Sequence, residues 1–191
     1  MAVYYYFAST LPSLFTDNPG TVTFDDFLAE ASRFLNKKDK AVIASVRLSV
    51  PDEIPPLAGA SAVLSGYYRW EKTLRNELVR LRAQKLKRQP DPWFREGEPE
   101  WDAQRTASQV FASDNPLEAE VLLEKERWRF ICQLETNQFF NLEFLAAYAL
   151  KLQILDRLGR FKKELGEENF NNLYTEVFHS AEERQDWRNS L

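Results

Sequence analysis

The chain has 191 residues, 44% of them hydrophobic and 28% charged, with a formal net charge of −4. That profile belongs to an ordinary globular chain with enough apolar mass for a sizeable core; it excludes extensive disorder, and the charge is too small to dictate an acidic or basic partner. One cysteine, Cys132, excludes an intramolecular disulfide, and the longest apolar run, Phe144 to Leu150, falls far short of the roughly 20 residues a bilayer span needs.

The opening Val3-Tyr4-Tyr5-Tyr6-Phe7-Ala8-Ser9 is rich in aromatics and is compatible with a short strand, an extended arm or a helical turn. Pro12, Asp17, Asn18 and Pro19 interrupt the first twenty residues, so no secretory leader is expected there. Thr23 followed by Asp26 has the form of a helix N-cap with an acid three residues on, and Phe24, Phe27, Leu28, Ala31 and Leu35 recur at helical spacing, which predicts a helix over about 24–35. Asn36 and Asp39 repeat the signature, and Ala41, Val42, Val46 and Leu48 predict a second helix that stops before Pro51.

A proline-free stretch from about Ser61 to Arg88 carries Tyr67, Trp70, Leu74, Leu78 and Leu81 on one stripe and predicts the first long helix. Pro90, Pro92, Gly97 and Pro99 then mark a loop, followed by a short helix from near Asp102 to Phe111. Asn115-Pro116-Leu117-Glu118 starts a helix predicted over 116–135, since proline at the first position loses no intrahelical bond. A second long helix is expected over about 139–165, ended by Gly166, and a last amphipathic one over about 167–180. The fold expected is therefore all-α, a bundle of about seven helices in one domain, 1–191, closed by a polar tail at 181–191.

An internal echo leaves open two related helical units, about 1–100 and 101–180. Leu78-Val79-Arg80-Leu81 with Lys85 resembles Leu155-Asp156-Arg157-Leu158 with Lys162, each late in a long helix.

Catalytic chemistry finds little support. Glu176 and His179 have the Glu-x-x-His spacing of helical carboxylate-bridged metal sites, but such a site needs two of these motifs and the chain has one histidine. The same scarcity weakens a hydrolytic triad, and the six glycines form no phosphate loop. Clustered Glu118, Glu120, Glu124 and Glu126 suit a helix start better than acid–base catalysis. Cys132, among apolar residues, is expected to be a small buried hydrophobe in a reducing, cytoplasmic setting. No enzymatic activity, cofactor, metal or small-molecule substrate is expected.

Charge is most uneven in the first long helix. Arg69, Lys72, Arg75, Arg80, Arg82, Lys85, Lys87 and Arg88 oppose only Glu71 and Glu77, a local charge of +6, while residues 91–102 carry −4. Arg69, Lys72, Arg75, Arg80, Arg82 and Lys87 are the protein-docking candidates. A nucleic-acid adaptor using this helix, with Tyr67, Tyr68 and Trp70 stacking on bases, is the alternative. It is disfavoured because Tyr67 and Trp70 fall on the apolar stripe.

Four segments carry a family resemblance: Tyr5-Tyr6-Phe7-Ala8-Ser9-Thr10-Leu11-Pro12, Trp70-Glu71-Lys72-Thr73-Leu74-Arg75-Asn76-Glu77-Leu78, Asn115-Pro116-Leu117-Glu118-Ala119-Glu120 and Ala147-Tyr148-Ala149-Leu150-Lys151-Leu152-Gln153-Ile154-Leu155. They resemble a bacterial family of unassigned function encoded beside V-type ATPase subunits. That family in turn looks like a shortened relative of the C-type component of archaeal-type ATPases, the one known as d in eukaryotic V-type ATPases. The pattern of Leu117-Glu118, Trp128 and a later helix with Leu155 and Arg157 carries this second step. The resemblance implies a non-catalytic, cytoplasmic subunit between the central stalk and the membrane rotor ring, touching the membrane only through that complex. A full C-type component is a funnel of three similar helical units, and this chain is long enough for about two.

Overall fold

The computed structural model describes residues 2–16, 22–50, 56–89, 94–95 and 100–161. Among them the chain forms seven α-helices and one 3-10 turn, Pro56–Ala60, in an all-α bundle. None of these helices is long and apolar enough to cross a membrane.

The N-terminal segment takes the helical form of its three alternatives, as α1 (Ala2–Thr10). Phe7 fixes it, being fully buried and stacked on Phe27 and Phe34 at ring separations of 5.7 and 5.3 Å. In α2 (Phe24–Phe34) the expected cap is complete: Thr23 Oγ1 accepts from the Asp26 N–H, and the Asp26 carboxylate accepts from the Thr23 N–H. Hydrogen bonds from Thr23 hold the Asp26 carboxyl below its ordinary pKa.

In α3 (Lys37–Ala44) the start agrees with the Asn36 cap, but the helix stops short of Val46 and Leu48, which helical spacing alone includes. Side chains of later helices take over the backbone there. Gln153 accepts from Leu48 N–H at 2.9 Å and donates to Val46 C=O at 3.0 Å, Tyr67 donates to Leu48 C=O at 2.8 Å, and Arg47 N–H donates to the Tyr68 hydroxyl. Polar groups satisfied in this way need no further helical turn.

The first long helix is α4 (Ala62–Lys85), capped by Ser61. Glu143 from far along the chain reinforces that cap: it accepts from the Ser61 hydroxyl and the N–H groups of Ala62 and Val63. A carboxylate suits the positive end of a helix. The far end comes before the expected Arg88, because Lys87 adopts a left-handed conformation, φ 53°. Arg88 N–H then reaches Ala83 C=O and Lys87 N–H reaches Gln84 C=O, the paired bonds of a Schellman stop.

α5 (Trp101–Phe111) and α6 (Pro116–Glu135) have the expected bounds within a residue. The last described helix, α7 (Leu142–Arg160), starts later than expected, since Asn137 and Phe140 have φ of 65° and 52° and Asn141 supplies its cap. Gly166, the helix expected over 167–180 and the tail at 181–191 lie outside the described residues.

Two apolar clusters result. The larger gathers α1, α2, α3, the first turns of α4 and most of α7 around Phe7, Phe27, Ile43, Tyr67, Leu145 and Ile154. The smaller joins α4 to α5 and α6 through Trp70, Leu74, Ala103, Ala107 and Leu123. Phe130 touches both, with its ring stacked on Trp70 at 4.7 Å.

Candidate docking site on the fourth helix

Because α4 buries one stripe, its basic residues are sorted by angle around the axis. Tyr67, Trp70, Glu71, Leu74 and Leu78 face inward, whereas Arg69, Arg80, Arg82 and Lys85 are exposed and Lys72 and Arg75 are half-buried. Lys87 is exposed but lies beyond the helix end, displaced from the stripe by the Schellman stop.

The six candidates do not act as one patch. Arg75 and Arg82, seven residues apart, line a groove of about 370 Å³ with Asn76, Leu78, Val79 and Arg95. Arg69 and Lys72 lie outside that lining, and Arg80 donates to Glu77 one turn earlier. The groove's second wall is held in place by an amide clamp: Asn76 donates to Arg95 C=O at 2.7 Å and accepts from Arg95 N–H at 3.1 Å. A loop residue is thus fastened to the helix by both its backbone groups.

Beneath the basic face lies an ionic network that sequence reasoning missed. Arg127 of α6, 5% exposed, donates to both oxygens of the fully buried Glu71, at 2.9 and 2.6 Å, and to Glu124 Oε1 at 2.6 Å. Arg75 holds Glu71 from the outer side and Arg157 of α7 reaches Glu124 Oε1, both at 2.9 Å. Burial pulls the Arg127 pKa down, but the charge and hydrogen bonds of Glu71 outweigh it, and the guanidinium is held above its ordinary value. Burial pushes the Glu124 carboxyl up, and Arg127 and Arg157 only partly offset this. Glu124 Oε2 has no hydrogen-bond partner, nor does the indole N–H of Trp70.

A signal for this was present. Glu71 lies four residues after Tyr67 and three before Leu74, which puts a carboxylate on the buried stripe. Glu118 and Glu120 prove to be partners of Asn115 and Arg157 near the surface, and the half-buried Glu126 accepts from Arg129 and Thr106. The two arginines of the internal echo have different roles. Arg80 stays on its own helix, whereas Arg157 bridges to α6. Cys132 is half-buried.

Tyr67, Tyr68 and Trp70 are 0%, 1% and 0% exposed, so none of these aromatics of α4 is free to stack on a base. Among the described residues no group of three or more His, Cys, Asp or Glu could hold a metal ion; Glu176 and His179 lie outside them. No family model matches the chain, and no match is found among curated proteins or solved structures.

Proposed function

We propose that this protein is a non-catalytic structural or accessory subunit of a bacterial V-type ATPase, similar to the C-type (d) component that links the central stalk to the membrane rotor. The observation that carries it is the resemblance of four segments, at Tyr5–Pro12, Trp70–Leu78, Asn115–Glu120 and Ala147–Leu155. Two of them supply buried residues of long helices: Trp70 to Leu78 in α4 and Ala147 to Leu155 in α7. In those two segments the likeness falls on packing residues, which favours a shared scaffold over a shared active centre.

Docking in this reading uses the outer face of α4. Arg69 and Arg82 stand exposed on a helix fixed at its start by Glu143 and along its length by Arg127, so little order is lost when a partner binds. The matching surface would be acidic.

Co-purification tests this. Tagged protein from its native host, gently extracted, is expected to bring down ATPase subunits, and Arg69→Glu with Arg82→Glu to weaken that capture about tenfold or more without lowering Tm. Absence of ATPase subunits, with ATP-driven pumping intact in a deletion strain, would overturn the proposal.

A further inference from the structure

At the end of the bundle opposite the last turn of α7, four aromatic side chains from two segments stand in solvent, one ring of each segment packed on the other. Tyr5 and Tyr6 of α1 are each 60% exposed, and Phe139 and Phe140 of the α6–α7 connection are 69% and 42% exposed. The Tyr5 and Phe140 rings are 4.5 Å apart, and Tyr6 lies 5.6 Å from Phe34. Exposed aromatic area of this kind, gathered rather than scattered, marks a surface that meets something apolar. Phe140 is moreover held in the left-handed conformation, which any residue but glycine or asparagine adopts at a cost, and that conformation belongs to the turn that carries it next to Tyr5.

Charge around the patch selects the occupant. Neither α1 nor the connection 136–141 contains an acidic residue, and Arg33, Lys37, Lys38 and Lys40 at the adjoining ends of α2 and α3 are all exposed. The acids nearest them are already engaged: Asp39 accepts from Tyr4 and Asn36, and Glu30 from Arg33. A second copy placed face to face would set these lysines against their own counterparts. Tyrosine and phenylalanine beside lysines is the composition that seats at a bilayer interface, rings at headgroup depth and ammonium groups on anionic phosphates.

We infer that Tyr5, Tyr6, Phe139 and Phe140, flanked by Lys37 and Lys38, form a face that binds the surface of an anionic lipid bilayer. This contact is direct, unlike the partner-mediated one that the family resemblance implies, and it does not rest on the ATPase reading.

The test is sedimentation of the purified full chain with vesicles of phosphatidylcholine alone and of phosphatidylcholine with phosphatidylglycerol, over a salt series. Binding to the anionic vesicles should exceed that to neutral ones and decline with salt. Phe139→Ser with Phe140→Asn should lower partitioning about tenfold or more while leaving Tm unchanged or raised, since asparagine suits the left-handed turn. Lys37→Glu with Lys38→Glu should abolish the anionic preference. Failure to sediment with anionic vesicles, or equal partitioning by the aromatic double variant, would overturn the inference. So would dimerisation that the same variant abolishes. These vesicles contain no ATPase, so a failed co-purification and a failed sedimentation are separate results.

Discussion

Glu124 is held by two guanidiniums through one oxygen and has no hydrogen-bond partner for the other, and its burial raises its pKa above the ordinary 4.5. The native state therefore keeps this proton more tightly than the unfolded chain does. The stability it contributes is complete below the unfolded pKa and is lost as pH rises through the raised native value. Glu124→Gln, which cannot ionise, should accordingly lose less stability than the wild type between acid and neutral pH. Urea midpoints measured across that range check it, and a wild-type-to-variant difference independent of pH would refute it. Residues of this kind were only half legible in the sequence. The wheel position of Glu71 announced a buried carboxylate, but its partner Arg127 lies 56 positions away on another helix, and nothing in either segment names the other. The docking arginines were visible as a charge excess; their division between a groove and an outer row came only with the angle at which α4 packs.

Helix starts were easier to place than helix ends. Thr23, Asn36 and Asn115 each satisfy orphan N–H groups within three residues, a local transaction that sequence displays directly, whereas the Asn141 cap was missed because the helical pattern runs back to 139. Stops depend on distant partners, as Gln153, Tyr67 and Tyr68 show by ending α3 early. The stop of α4 is different, for Lys87 occupies the left-handed position that glycine usually takes. Lys87→Gly should relieve the crowding of its Cβ and raise stability by about 0.5–1 kcal/mol, less than the full left-handed penalty because glycine also gains freedom when unfolded. Chemical denaturation measures the difference. A loss of stability would mean that the lysine side chain makes a contact worth more than the strain.

At the scale of the molecule, the notable arrangement is a charged waist between two apolar clusters. Tyr67 and Ile131 belong to the larger cluster and Trp70, Leu74 and Leu123 to the smaller, while Glu71, Glu124 and Arg127 sit on the same two helices between them. Arg127→Met should cost roughly 3–5 kcal/mol, because it strands Glu71 and Glu124 without a counter-charge in the interior. Replacing all three with apolar residues of similar volume, Glu71→Leu, Glu124→Leu and Arg127→Met together, should restore most of that loss. Urea unfolding of the single and triple variants decides it, and a triple variant weaker than Arg127→Met would overturn the account. The consequence is historical as much as energetic. Losing Arg127 first passes through a strongly disfavoured intermediate, so a lineage cannot drift out of the triad by that step. Surface pairs such as Arg160 with Asp156 carry no such barrier and are free to turn over. The waist is a mutational trap, one that would keep these three residues in descendants even if an apolar interior were as stable.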